Sequence, residues 1–383
     1  MLTSDFDYNL PKELIAQTPA EPRDSARLMV IDKNKKSLEH KHFYDLPDYL
    51  CTGDLLVWNN TKVFKARLRG TVCLDEKVIK NAPKNNSEVI LNEPKVEIFL
   101  LRPMENRFVW KVLAKPGKKL QLGMKIIFAE DFSCEVMLKE SDGTVLVQFE
   151  DDDMIVREKA NRYGEVPTPP YIHPVKSPQS GVAAQGGQFN RVKKLGDNER
   201  LVLDYQTVYA KNEGSVAAPT AGFHFTPELI EKLKSRGVEF AEVTLHVGLG
   251  TFQPVKEEKL EQHKMHEEWV ELTDKNAGLI NQAKSEGRRV VAVGTTTTRA
   301  LEAIADDQGF VRPFSGDINI FIYPGYKFKI IDALITNFHL PKSTLLMLVS
   351  AFVDDRKFIL DCYGEAVENK YRFFSFGDAM LIK

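Results

Sequence analysis

The sequence predicts an α/β protein: a mixed, parallel-rich sheet with flanking helices, into which a small β-barrel domain is inserted. Three observations carry this reading. Strand and helix signals alternate through the C-terminal half, the pattern of helices packed over a largely parallel sheet. Between residues 70 and 155 the texture changes to short alternating runs parted by turns such as Lys115-Pro116-Gly117, which suits a small barrel. The chain has 383 residues, more than one ordinary domain of roughly 100–200 residues. The expected division is a discontinuous α/β domain of residues 1–69 and 156–383, with 70–155 as the inserted barrel.

Each element has a local reason. Pro11 starts a predicted helix over 11–17, and strands are expected at 28–31 and 54–58. The barrel runs are 95–101, 107–113, 125–128, 134–138 and 144–149. Beyond a proline-rich connector at 163–171, Thr226 is a good N-cap with Pro227 in the first turn and Gly237 as the stop. A strand at 238–247 and a helix at 273–286 follow. A buried-type strand at 289–293 runs through four threonines into a helix at 299–305. Strands at 318–323 and 331–335 precede helices at 345–352 and 356–369.

Composition excludes several classes. Hydrophobic residues make up 43% and charged ones 28%, with 23 Phe, 11 Tyr and 3 Trp, so a sizeable core can form and general disorder is excluded. Apolar runs such as 318–323 and 345–349 fall far short of the ~20 residues that span a bilayer. The N-terminus lacks the pattern of a secretion signal, and the expected location is cytoplasmic. Four scattered cysteines, Cys51, Cys73, Cys134 and Cys362, support neither a disulfide framework nor a zinc site, and read as lone buried thiols. Net charge is −2, yet it is unevenly spread. Residues 62–125 hold fifteen Lys/Arg against six acids, whereas 126–160 hold three against ten. Such asymmetry creates a local anion-binding face or an ordinary solvated surface.

Four polar blocks fit neither strand nor helix periodicity. Residues 214–226 set His224 among Gly, Ala, Pro and Thr just before a helix; this is either a tight structural turn or a site with an imidazole able to exchange protons near neutral pH. Residues 243–252 alternate so that Thr244 and His246 share a strand face and emerge beside Gly248, Gly250 and Thr251, at the strand end where open α/β sheets bind ligands. Gly294-Thr295-Thr296-Thr297-Thr298, with Arg299 next, offers a helix N-terminus to an anion, but no GK[ST] accompanies it and nucleotide hydrolysis loses support. Residues 336–344 place Asn337, Phe338 and His339 at another strand end. His173, His263 and His266 lack metal-ligand spacing, so no metal is expected.

In this order the blocks closely resemble the S-adenosylmethionine:tRNA ribosyltransferase-isomerases of queuosine synthesis. The resemblance runs through Asp5-Phe6-Asp7-Tyr8, Arg23-Asp24, Asn59-Asn60-Thr61-Lys62-Val63, Arg162-Tyr163-Gly164, Tyr205-Gln206-Thr207-Val208-Tyr209-Ala210, residues 215–226, 244–254 and 294–299, Ile322-Tyr323-Pro324-Gly325, 336–343 and 371–380. It departs at Glu199-Arg200, which four residues, Leu201-Val202-Leu203-Asp204, separate from Tyr205 where the family has the pair directly before it. The family implies transfer of the ribosyl carbons of S-adenosylmethionine to 7-aminomethyl-7-deazaguanine at the tRNA wobble position. The ring then rearranges to an epoxycyclopentanediol, and adenine and methionine leave. S-adenosylmethionine is thus a co-substrate and the modified tRNA a partner; no metal, redox cofactor or membrane is implied, and a monomer is expected.

Set against that chemistry, His224 and His246 are the acid–base candidates, in a shared cleft. Asn337 and His339 suit adenine; Gly248, Gly250 and Thr251 allow close backbone approach; and Arg299 or the Thr295–Thr296 turn could take the methionine carboxylate. Asn59, Asn60, Tyr163, Tyr205 and Gln206 complete the expected substrate contacts. Lys118 and Lys119 are the expected tRNA contacts, on a barrel offered as a candidate tRNA face. Without the resemblance, a conventional tRNA methyltransferase and a non-catalytic RNA-binding module remain open.

Overall fold

A computed structural model describes residues 1–73, 95–141, 143–167, 171–172, 197–248, 257–263, 265 and 267–383, apart from the side chains of 119 and 197–200. In chain order the strands are β1 (Arg27–Asp32), β2 (Ser37–His42), β3 (Leu55–Asn59), β4 (Thr61–Val63), β5 (Arg67–Cys73) and β6 (Lys95–Pro103). There follow β7 (Val109–Lys115), β8 (Lys125–Ala129), β9 (Phe132–Lys139), β10 (Val145–Phe149), β11 (Asn212–Ser215) and β12 (Glu239–His246). The last are β13 (Glu268–Leu272), β14 (Val290–Val293), β15 (Phe314–Ile318), β16 (Ala333–Asn337) and β17 (Ala379–Ile382). The helices are α1 (Asp153–Tyr163), α2 (Asp197–Asp204), α3 (Pro227–Ser235), α4 (Asp274–Ser285), α5 (Thr295–Ile304), α6 (Thr344–Val353) and α7 (Arg356–Glu368).

Two compact units emerge: residues 1–62, 169–213 and 217–383, and residues 63–168 with 214–216. The first holds a nine-stranded mixed sheet in the order β15-β13-β12-β3-β14-β16-β17-β1-β2. Its centre, β12-β3-β14-β16, is parallel, and so is β17 on β1; the remaining pairings are antiparallel. The central strands read as nearly continuous apolar runs because both faces are covered. In β3, Leu55 and Val57 enter one core while Leu56 and Trp58 enter the other. In β14, Val290 and Ala292 oppose Val291 and Val293 in the same way. Helices α4, α5, α6 and α7 supply the first core, and α3 the second.

The second unit is built on a closed six-stranded barrel, β10-β7-β6-β5-β8-β9, antiparallel throughout. Closure leaves it without a free sheet edge. Its first strand begins at Arg67. Gly70 lets β5 and β8 approach: a Cβ there would stand 2.8 Å from Ile126 Cγ2 and 2.9 Å from Ile127 O. Among the described residues no helix is long and apolar enough to cross a membrane. Of the lone thiols, Cys134 and Cys362 are buried, but Cys51 and Cys73 are exposed.

Three local expectations are corrected by tertiary structure. Instead of a helix over 11–17 there is a single 3-10 turn, Lys12–Leu14; the following backbone bonds Phe373, whose N–H donates to Leu14 O and whose carbonyl accepts from Ala16 N–H. The predicted strand 318–323 is displaced to Phe314–Ile318, because Ile318 pairs with Glu268, the first residue of β13. Ile322 is nevertheless buried from irregular chain. Helix α5 begins at Thr295 rather than Arg299, so the threonines form its first turn.

Candidate active site

A narrow cavity lies at the carboxyl ends of β14 and β16, where the chain turns into α5 and into Phe338-His339. Ligands of open α/β sheets bind at such ends. Gly294, at φ +92°, makes the turn possible, and its N–H donates to Ile335 O at 2.8 Å. Thr297 Oγ1 donates to Val293 O (2.7 Å) and Thr298 Oγ1 to Gly294 O (3.2 Å), tying the helix start to the strand. Thr295 and Thr296 instead line the cavity, opposite Thr220, Asn337 and His339. The free volume is about 50 Å³.

His339 is held on every side. Its backbone N–H donates to Tyr363 Oη (3.2 Å), its Nδ1 lies 3.1 Å from the same oxygen, and its carbonyl accepts from Tyr8 Oη. Burial pushes the Tyr363 phenol well above its ordinary range, so it keeps its proton. With the backbone N–H already donating to Tyr363 Oη, that proton goes to His339 Nδ1, which leaves Nε2 as the protonated nitrogen. Nε2–H faces Thr336 Oγ1 at 3.3 Å. Burial lowers the His339 pKa to about 3, so at neutral pH it is a neutral hydrogen-bond donor.

His224 is 4% exposed and does not line the cavity. Its Nε2 lies 3.1 Å from Asn337 Nδ2, which also donates to Phe374 O; Asn337 Oδ1 accepts from Thr220 Oγ1. An amide donor makes Nε2 the acceptor, so the imidazole proton sits on Nδ1. Burial, followed by the charges of Arg372 and Arg23, lowers the His224 pKa to about 3. Gly222, two residues earlier, must be glycine: a Cβ there would stand 1.9 Å from Tyr209 Oη.

These two buried imidazoles set a pH dependence. Their folded pKa of about 3 lies below the unfolded value near 6.5, so the unfolded chain binds protons that the folded chain refuses. Their stabilisation is complete above pH ~6.5 and is lost as pH falls towards 3, at up to about 1.4 kcal/mol per pH unit for each histidine. Urea unfolding at pH 7 and pH 5 should show this loss, with a shallower pH slope in His339→Gln. Equal slopes would contradict it.

His246 ends β12, half-buried, stacked on Trp269 at 5.1 Å, with Nδ1 2.8 Å from Thr61 Oγ1. It does not line the cavity either, so the expected shared cleft of both histidines is replaced by one lined by Asn337 and His339, with His224 behind Asn337. Asn59 bridges strands: Nδ2 donates to Leu245 O (2.9 Å), and Oδ1 accepts from the N–H groups of Leu245 and Thr61. Asn60 holds Thr244 (2.7 Å) and Glu242 (3.0 Å). Both amides are engaged in holding β12 and the chain after β3 in place.

The other expected residues fall as follows. Among the described residues nothing stands within 4 Å of where a Gly248 Cβ would be; Gly250 and Thr251 lie outside the described residues. Arg299, 3% exposed, pairs with Glu268, 4% exposed. Tyr205 is fully buried, edge-on to Phe223. Gln206 accepts Arg23 Nη1 on its carbonyl at 2.6 Å. Tyr163 belongs to the barrel unit, where its hydroxyl donates to Asp131 (2.8 Å). Lys118 is exposed in the 3-10 turn Gly117–Lys119; the side chain of Lys119 lies outside the described residues, as do His173 and His266. His263 pairs with Glu257 at 2.8 Å, and among the described residues no group of three His, Cys, Asp or Glu could hold a metal. Tyr8 and Tyr363, which orient His339, escaped the sequence reading; Tyr363 lies in a helix with no local polar signal.

Neutral donors and a helix N-terminus converging at the strand ends make this cavity the candidate active site of an α/β enzyme. The chain belongs to the family described as Queuosine biosynthesis protein, which it matches over residues 3–382. It is 49% identical over 384 residues to the S-adenosylmethionine:tRNA ribosyltransferase-isomerase of Acetivibrio thermocellus, with 100% of both chains covered. It is 47% identical over 386 residues to the protein of the same name from Thermotoga petrophila, again with 100% of both covered. The solved S-adenosylmethionine tRNA ribosyltransferase of Thermotoga maritima is 37% identical with a TM-score of 0.52, covering 99% of this chain and 100% of that one.

Proposed function

We propose that this chain is an S-adenosylmethionine:tRNA ribosyltransferase-isomerase that converts 7-aminomethyl-7-deazaguanine in tRNA to epoxyqueuosine, releasing adenine and methionine. The observation that carries it is the end-to-end similarity to proteins of that name at 47–49% identity. The sulfonium of S-adenosylmethionine acidifies C5′, and a base must remove that proton. His246 is better placed for this than His224, whose Nε2 lone pair is occupied by Asn337 and whose burial opposes protonation. His339 offers Nε2–H to the departing adenine, and Asn337 stands beside it. The free volume of about 50 Å³ is well below the ~300 Å³ at which small-molecule sites begin, so the nucleoside extends past the described walls.

The test is mass spectrometry of precursor tRNA after incubation with protein and S-adenosylmethionine labelled in its methyl group. Ribosyl transfer leaves the RNA unlabelled, adds the epoxycyclopentanediol and releases labelled methionine. Label in the RNA would instead mean methyl transfer, and no adenine release would leave only RNA binding. Replacing Lys118 and Lys119 together should lower the salt slope of tRNA binding by about two units if both contact phosphate; an unchanged slope removes them from the interface.

A further inference from the structure

Resting on that proposed function, we infer that the N-terminus of α5 is the seat of the methionine carboxylate of S-adenosylmethionine, with Thr296 as its hydroxyl donor. Helix α5 is ten residues long, and its N-cap, Gly294, has no side chain to accept from the first N–H groups. Those groups and the helix dipole favour an anion. The second observation is independent of the helix. Thr296 is 8% exposed, lines the cavity, and its Oγ1 is a buried oxygen without a hydrogen-bond partner. The next two threonines both donate back to the strand end. A buried hydroxyl in an otherwise satisfied turn implies a ligand partner.

Size and charge narrow that ligand. The cavity's free volume, about 50 Å³, is far below that of a whole small-molecule site and suits a compact group such as a carboxylate. Among the described residues no Asp or Glu lines it to repel an anion, and no Lys or Arg lines it to bind one by full charge. Recognition therefore falls to N–H and O–H donors. Arg299, one turn along the same helix, is already neutralised by Glu268. A tRNA phosphate offers the same charge, but it is bulkier and tethered on two sides, which suits an open surface rather than a narrow cavity.

Binding to the full chain without tRNA tests the seat, by calorimetry with S-adenosylmethionine and with its decarboxylated analogue. The intact chain is expected to prefer the carboxylate form by about tenfold or more, the scale of a charge-assisted contact at a helix end. Thr296→Val should remove most of that preference, weakening S-adenosylmethionine while leaving the analogue within twofold; Thr296→Ser should restore it. Equal losses on both ligands would overturn the seat and leave the proposed function standing. Weakened tRNA binding with unchanged S-adenosylmethionine binding would assign the anion to a phosphate and also overturn it. If the unmodified chain neither binds S-adenosylmethionine nor turns it over, the proposed function fails and the seat with it.

Discussion

His246→Ala is expected to lower single-turnover ribosyl transfer by ~10²–10⁴-fold, the usual contribution of a general acid or base, while the protein still folds. The imidazole is half-buried at the end of β12, stacked on Trp269 and bonded to Thr61, so its loss removes little core packing. His246→Gln, which retains an amide able to bond Thr61, should lose as much turnover, because it cannot take up a proton. Wash-out of deuterium from C5′ assigns the step more directly. It should vanish in both His246 variants and persist in His224→Ala, whose imidazole acts behind Asn337; His224→Ala should still fold and lose turnover by disordering Asn337 in the cavity wall. Exchange that survives in His246→Ala but disappears in His224→Ala would exchange the two roles.

The fold was legible where its cause was local. Thr226 and Thr273 announced their helices because each side chain caps the first turn, accepting from Leu229 and Asn276 N–H. The β14 strand was legible because four consecutive apolar residues feed cores on both faces. Where pairing decides, the sequence was mute. The last strand, β17, lies inside the sheet only because β16 and β1 flank it, partners more than 40 and more than 300 residues distant in number, respectively. Arg67–Cys73 belongs to the barrel through pairing with β6 and β8, which its short alternating pattern alone does not specify.

The site was legible as blocks but not as contacts. His224, His339 and Asn337 stood out because polar residues interrupted otherwise regular periodicity. Their mutual geometry depends on β16 delivering Asn337 beside a turn 113 residues earlier, which no spacing rule contains. The threonine block was visible as an anion candidate, yet its division into two tethering threonines and two that line the cavity required the helix start to be known. For Arg299 the sequence showed the cation but not its protein partner. A cation beside an anion-binding turn suggested a ligand contact, and the neutralising carboxylate, Glu268, lies 31 residues away on β13.

That pair carries the largest expected stability effect. Glu268→Ala should destabilise the protein by about 3–5 kcal/mol, because it leaves a guanidinium 3% exposed without its counter-ion. Desolvating the two ions offsets much of their attraction, so replacing both by apolar groups should restore most of the loss. Glu268→Leu combined with Arg299→Met is therefore expected to unfold in urea close to the unmodified protein, while Glu268→Ala alone unfolds at far lower urea. A loss under about 1 kcal/mol in Glu268→Ala would show that solvent reaches the guanidinium. The double variant also separates two roles for Arg299. Helix α5 begins with Gly294 and the threonines, and Arg299 lies one turn along it. If Arg299 serves only to anchor that helix, the stable double variant retains S-adenosylmethionine binding; if it loses binding while remaining folded, the buried and unpartnered Nη2 is a ligand contact.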